Sequence, residues 1–489
     1  MMESLSQRIR PYSSSVRIKR AEGFSSLREV HHDLAWVTES HLRHGSFRTS
    51  SDFSDWEGSA YSDFQIQPGA PVFHLGSARS IHFGDHYLKG VGLTPMFPVR
   101  NSDYYHGSGH LLASSAAREY LVSVWVKQLG LGKSIIPCDG LLVAEMHASL
   151  AEVARKTYAS GGNFDFNLMP PCDRTLQAIS VKPSGFLRFT NFSWLLRSGA
   201  DVSLDALTRV IRDWGTSLDA DFTKSEDGIN EEIGTIFGQI ESQTVLGLEE
   251  FFRFQTSGIL WCSLNNNFSA GIKFLDLEVP LVTGPDLIYD FSNREDREFD
   301  CPAHFEVFQA VKQVREWILD LLGWCRAREL YYGYLKNPAH APYHELLRII
   351  SSEIETRLVR ESRIFNDSHW VGLIRNHYGS RIGDHAQAGL AEVIDQQRSL
   401  RLTGSIKLSG PYQSDIVTQA RYGLELGKSP SLIAPSWFPR ERFLADIDSG
   451  WHRLFAECIK AVEKETTPEG FLTALSYAEL QIETTFANK

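Results

Sequence analysis

The chain has 489 residues, 42% of them apolar and 22% charged, with a formal net charge of −11. That usage excludes collagen-like, fibrous and wholly disordered chains, and at about 100–200 residues per domain the length leaves room for several domains with sizeable cores. The acidic balance argues against a dedicated nucleic-acid binder, which carries a basic face.

Six cysteines, at 138, 172, 262, 301, 325 and 458, are too few for a disulfide scaffold. None stands at a C-x-x-C spacing, so neither a zinc ribbon nor a thioredoxin motif is expected. This usage fits a reducing, cytoplasmic setting. No apolar run approaches the roughly 20 residues of a spanning helix, so no membrane partner is expected. The first twenty residues carry Arg8, Arg10, Arg17, Lys19 and Arg20 without an apolar core, unlike a secretory signal.

In chain order, residues 1–70 are Ser-rich and charged and read as a loosely structured arm with one amphipathic helix near Leu27 to His41. Short apolar runs at Val72–Leu75, Ser80–Phe83 and His86–Leu88 read as strands. Ala113 to Leu129 has helical spacing and stops at Gly130. Ile135–Ile136 and Leu141–Ala144 read as strands, then a helix through Ala148 to Tyr158. A loop spans Gly161–Asp173, and Gln177–Val181 and Leu187–Phe189 return to strand. Past residue 200 the texture is helical: Ser203 to Trp214, Asp227 to Phe254 with a break at Gly247, then 304–334, 343–360, 386–399, 441–463 and 468–485. A short strand at Ile272–Leu275 interrupts this run. The expected fold is α+β: a protein-kinase-like, two-lobed chain with an arm over 1–70, a small mixed α/β N-lobe over 71–200 and a helical C-lobe over 201–489. The nucleotide is expected in the cleft between the lobes.

Five stretches carry candidate chemistry. Gly76, Ser77 and Arg79 lie between two strands, where backbone N–H groups can approach phosphates and an arginine can pair with an oxygen. Lys89 ends a strand beside Gly90, well placed to set an ammonium on a phosphate. Arg118-Glu119 lies on the next helix, where a glutamate can fix a strand lysine. Lys182 and Arg188 flank a strand and turn able to cradle a polyphosphate. Asn267, nine residues before Asp276, offers with it two oxygen ligands for a hard cation. Each has a plain alternative as a turn or a solvated charge. His340-x-x-x-His344 has helical zinc spacing but is interrupted by prolines, and His31 with Asp33 reads as a solvated pair. Neither a Gly-x-Ser-x-Gly elbow nor a Walker lysine motif is present.

Taken in order, these stretches resemble the signature blocks of the selenoprotein O family. The blocks are Leu88-Lys89-Gly90-Val91-Gly92-Leu93-Thr94-Pro95, Gly107-Ser108-Gly109, Ala117-Arg118-Glu119-Tyr120, Leu129-Gly130-Leu131-Gly132, Lys182-Pro183-Ser184-Gly185-Phe186-Leu187-Arg188-Phe189 and Asn265-Asn266-Asn267 with Leu275-Asp276. The resemblance covers roughly residues 72–290. It implies a kinase-like fold that binds ATP in a flipped orientation and transfers AMP to a protein or peptide acceptor. It also implies ATP and Mg²⁺ or Mn²⁺ as cofactors. On that reading Lys89 contacts the phosphates, Glu119 orients it, and Gly76, Ser77, Arg79, Gly90, Lys182 and Arg188 bind nucleotide. Asn267 and Asp276 hold the metal. The family's presumed base falls on Asn266, an amide without useful basicity. Its arginine falls on Ser180, with Lys182 on the same strand face as a substitute cation. Another family arginine becomes Ser114, and the D-Y-G motif reads Asp276-Leu277-Glu278. Two alternatives stay open: activation of a carboxylate acceptor as an acyl-adenylate, and a nucleotide-binding subunit that acts in peptide maturation or as a scaffold.

Overall fold

The computed structural model describes residues 15–17, 25–26, 59–62, 80–83, 86–90, 111–146, 169–183, 186, 229–260, 267, 269, 272–278, 280–284, 302–378 and 450–488. The expected strands at 72–75 and 187–189 and the helices at 27–41, 148–158, 203–214 and 386–399 lie outside these residues. So do Gly76, Ser77, Arg79, Arg188 and Asn266.

The described chain is α+β and divides into two compact units. The first comprises Met1–Leu187, Phe274–Pro280 and Gly450–Lys489; the second comprises Arg188–Lys273 and Leu281–Ser449. The linear division expected at residue 200 therefore differs from the packing. Seven residues around Asp276 and the two C-terminal helices, all expected in a helical C-lobe, belong with the N-terminal sheet.

The first unit is built on an antiparallel sheet. Its strands are β1 (Ser15–Arg17), β2 (Ser25–Ser26), β3 (Ser59–Ser62), β4 (Ser80–Phe83), β5 (His86–Lys89), β6 (Gly140–Glu145) and β7 (Leu176–Pro183), in the order β1-β3-β4-β5-β7-β6-β2. β1 to β3 come from the arm expected to be loose. Ser-rich segments can complete a sheet because ladder pairing uses the backbone. Across β5, β7 and β6, Lys89 pairs with Ser180 and Ser180 with Leu141.

Helix α1 (Ala113–Gln128) packs on β6 and β7, as its spacing predicts. It is buried on nearly all sides, from Ala113 through Tyr120 to Val126. A helix this apolar needs a second cover. The C-terminal helices α7 (Gly450–Glu463) and α8 (Pro468–Ala487) supply it. Trp125 meets Trp451, Phe455 and Phe486 edge-on, at ring-centre distances of 5.2, 5.7 and 5.2 Å. The N-terminus of α1 has no cap from Leu112. Asp173, on the short helix α2 (Pro171–Thr175), accepts from the Ser114 amide at 2.8 Å and from its hydroxyl at 2.5 Å. A distant carboxylate thus does the work of an N-cap.

The second unit is mostly helical: α3 (Ile229–Thr256), α4 (Pro302–Leu335), α5 (Ala341–Glu353) and α6 (Asp367–Tyr378), with the short pair β8 (Ile259–Leu260) and β9 (Leu281–Val282). Residues 354–360 continue α5 as a π-helix. The break expected at Gly247 does not occur. Gly247 is there because Ile272 packs against it, where any side chain would collide. Ile272 itself has φ +52°, and the expected strand at 272–275 does not form. Only Phe274 makes a β-bridge, a parallel one to Ile135 in the first unit. Among the described residues no helix is long and apolar enough to cross a membrane.

Candidate metal and phosphate site

Alternation along β5 and β7 sets the site. Residues directly opposite in an antiparallel pair project to one face, and so do residues two apart on a strand. Lys89, Ser180 and Lys182 therefore share a face, with Glu119 of α1 above them. The segment 274–280 enters the unit along Ser134–Ile136. Phe274 donates to the Ser134 carbonyl at 2.9 Å, and the Ile136 amide donates to the Phe274 carbonyl at 2.9 Å. Asp276 and Glu278 follow at once. The placement of this segment is anchored by Leu275, which packs with Tyr87, Ile136 and Phe186.

The result is a buried ion cluster. The Lys89 ammonium donates to Asp276 Oδ1 at 2.7 Å and to Glu278 Oε1, and stands 3.8 Å from Glu119 Oε1. The Lys182 ammonium pairs with Glu119 Oε1 and lies 4.0 Å from Asp276 Oδ1. Lys89, Lys182 and Glu119 are 3%, 1% and 0% exposed, so these charges persist only because each is paired. Burial pushes the Glu119 carboxyl up, but Lys182 and Lys89 outweigh it and hold it below the usual carboxylate range. For Lys182 burial works against the charge and the Glu119 carboxylate overrides it, so its ammonium is held above the usual lysine range. Glu278 goes the other way: burial, with the Glu119 and Asp276 carboxylates nearby, raises it despite Lys89.

Glu119, Asp276 and Glu278 each offer a carboxylate oxygen, and the three lie within 4.8 Å of one another. Oxygen ligands at that spacing suit a hard divalent cation. Two more observations fit. Glu119 Oε2 is buried without a hydrogen-bond partner, and so is the Ser180 hydroxyl opposite Lys89. Asp276 also adopts φ +53°, a left-handed conformation that a non-glycine residue keeps where its surroundings over-determine it. Gly90, directly after Lys89, has φ +98°. A Cβ there would fall 2.6 Å from Leu111 Cβ and 2.7 Å from the Ala178 carbonyl oxygen, so only glycine lets β5 end against that strand.

Four residues singled out from the sequence, Lys89, Glu119, Lys182 and Asp276, thus converge. Asn267 is buried and belongs to the second unit, whereas Asp276 belongs to the first. Two residues of the cluster's surroundings were not singled out as functional. Glu278 stands as a departure from a D-Y-G pattern, yet the Asp-Leu-Glu spacing places two carboxylates on one turn. Arg118 reads as an unremarkable neighbour of Glu119, and no local pattern flags its contacts. No family model matches the sequence, and comparison with curated proteins finds no match.

Proposed function

We propose that the chain is an ATP- and divalent-metal-dependent nucleotidyltransferase of kinase-like architecture, related to the selenoprotein O family, that transfers AMP to a protein or peptide acceptor. The observation that supports this most is the convergence of a strand lysine, a helix glutamate and a loop aspartate, Lys89, Glu119 and Asp276, inside a 4 Å shell. That trio is the arrangement by which kinase-like proteins hold a metal–nucleotide.

In this reading Asp276, Glu278 and Glu119 hold the cation, and Lys89 and Lys182 meet the phosphates. A bound Mg²⁺ or Mn²⁺ neutralises charge on the phosphate oxygens. Glu119 sets the direction of both ammonium groups, and Gly90 leaves backbone room beside Lys89. The acceptor oxygen attacks the α-phosphorus; a new P–O bond forms, the bond to the bridging oxygen breaks, and pyrophosphate leaves with the electron pair. The resemblance puts the base position on Asn266, an amide, so an acceptor already ionised, a carboxylate, suits this chain better than a hydroxyl.

A second reading rests on Glu278. Three carboxylates against two ammonium groups leave one negative charge in excess when all are ionised, which repels a free polyphosphate. A binding subunit that acts in peptide maturation or as a scaffold follows from that. Incubation with ATP labelled at the α or the γ phosphate separates the readings. α-Label on the acceptor supports adenylylation and γ-label phosphorylation. Neither label, with ATP leaving the melting temperature unchanged, supports that second reading.

A further inference from the structure

Arg118 precedes Glu119 on α1, about 100° around the helix from it. Its side chain goes to backbone oxygens of the acidic segment. Nε donates to the Glu278 carbonyl at 2.8 Å, and a terminal nitrogen donates to the Pro280 carbonyl. The guanidinium carbon also lies 5.6 Å from the ring centre of Phe455 on α7. The next residue, Tyr120, donates to Glu479 of α8 at 2.9 Å. Three consecutive residues of one helix turn thus contact the acidic segment, the site lysines and the C-terminal helices.

We propose that Arg118 is a positioning residue for the metal site, resting on the reading above that the cluster takes a divalent cation. Residues 276–278 lie outside the strands, and Asp276 is in a left-handed conformation; the two Arg118 bonds tie this stretch of backbone to α1. Arg118 holds the segment from its carbonyl side. A planar fork can bind two carbonyls at once, which an ammonium cannot do in the same geometry. Phe455 keeps the fork in place, so the C-terminal helix pair helps set where the carboxylates of Asp276 and Glu278 stand. Groups behind a metal's direct ligands typically change affinity about 10–100-fold when removed.

The test uses the full chain and Mn²⁺ with ATP, read by electron paramagnetic resonance, together with amide hydrogen exchange over 276–280 in metal-free protein. Arg118→Ala should weaken Mn²⁺ uptake about 10–100-fold and speed exchange in the segment. Low millimolar guanidinium should restore uptake, whereas Arg118→Lys should not. Phe455→Leu should act in the same direction, more weakly. Wild-type uptake and exchange in Arg118→Ala would overturn the proposal, as would a loss of uptake that guanidinium leaves untouched while exchange is unchanged. If the wild-type protein takes up no Mn²⁺, the metal reading falls and this proposal with it, even where faster exchange in Arg118→Ala shows that the backbone clamp itself exists.

Discussion

The Lys89 ammonium lies 2.7 Å from the Asp276 carboxylate across 187 residues of sequence. Both belong to one buried cluster of three carboxylates and two ammonium groups, so a change at either side chain resets its charge balance.

Lys89→Met should destabilise the chain by about 3–5 kcal/mol, because it strands carboxylates that are buried and paired. Urea unfolding at neutral pH measures this. The loss should shrink on acidification as the carboxylates take up protons. A variant as stable as wild type at neutral pH would mean the cluster is open to water.

Asp276→Asn keeps a residue type that tolerates the left-handed backbone and removes one negative charge from a cluster with one in excess. Stability should change little. Mg²⁺-dependent ATP affinity, measured by calorimetry, should fall at least about tenfold, since the carboxylate is the stronger ligand for a hard cation. Unchanged affinity would remove Asp276 from the metal assignment.

Gly90→Ala should cost at least about 2 kcal/mol, combining a positive φ with a Cβ driven into Leu111 and the Ala178 carbonyl. Thermal unfolding reads it. Gly130→Ala is the control: its φ is +74° but nothing lies within 4 Å of an added Cβ, so only the backbone cost should appear.

Asp173 gives a pH signature. Burial raises its carboxyl above the usual range, against the two bonds from Ser114. A carboxyl raised by folding binds its proton more tightly in the folded chain. Its contribution is complete below the unfolded value and is lost as pH rises through the folded one. Wild type should therefore lose stability relative to Asp173→Asn over that window, with a slope of at most about 1.4 kcal/mol per pH unit. Parallel pH profiles for the two proteins would show that Asp173 is not raised.

Helices and strands with clear periodicity were legible in the sequence: Ala113 to Leu129, the strands near 80–88 and 141–144, and 468–485 all form close to their expected bounds. Lys89, Glu119, Lys182 and Asp276 could be picked out because a lysine at a strand end and a glutamate on the next helix are local patterns. Their mutual distances were not legible, since spacing along a strand fixes a face and not its partner. For the same reason 441–463 and 468–485 read as helices while the packing of α7 and α8 on α1 stayed hidden. Arg118, named beside Glu119, had no role of its own in the sequence because its partners are carbonyl oxygens, which leave no mark there. The serine-rich strands β1 to β3 carry no apolar alternation to betray them.

The return of 274–280 to a sheet finished at residue 183 has a consequence for biosynthesis. Lys89 and Lys182 leave the ribosome long before Asp276 and Glu278, and at about 5–20 residues per second the wait is roughly five to twenty seconds. During that interval Glu119 is the one carboxylate of the cluster available to two ammonium groups. The nascent sheet must keep this face hydrated until the acidic segment arrives, and α7 and α8 close over α1 only when translation is nearly done. An N-terminal fragment ending near residue 200 would stay in that waiting state, with Glu119 as the cluster's one counter-ion and water in place of the acidic segment.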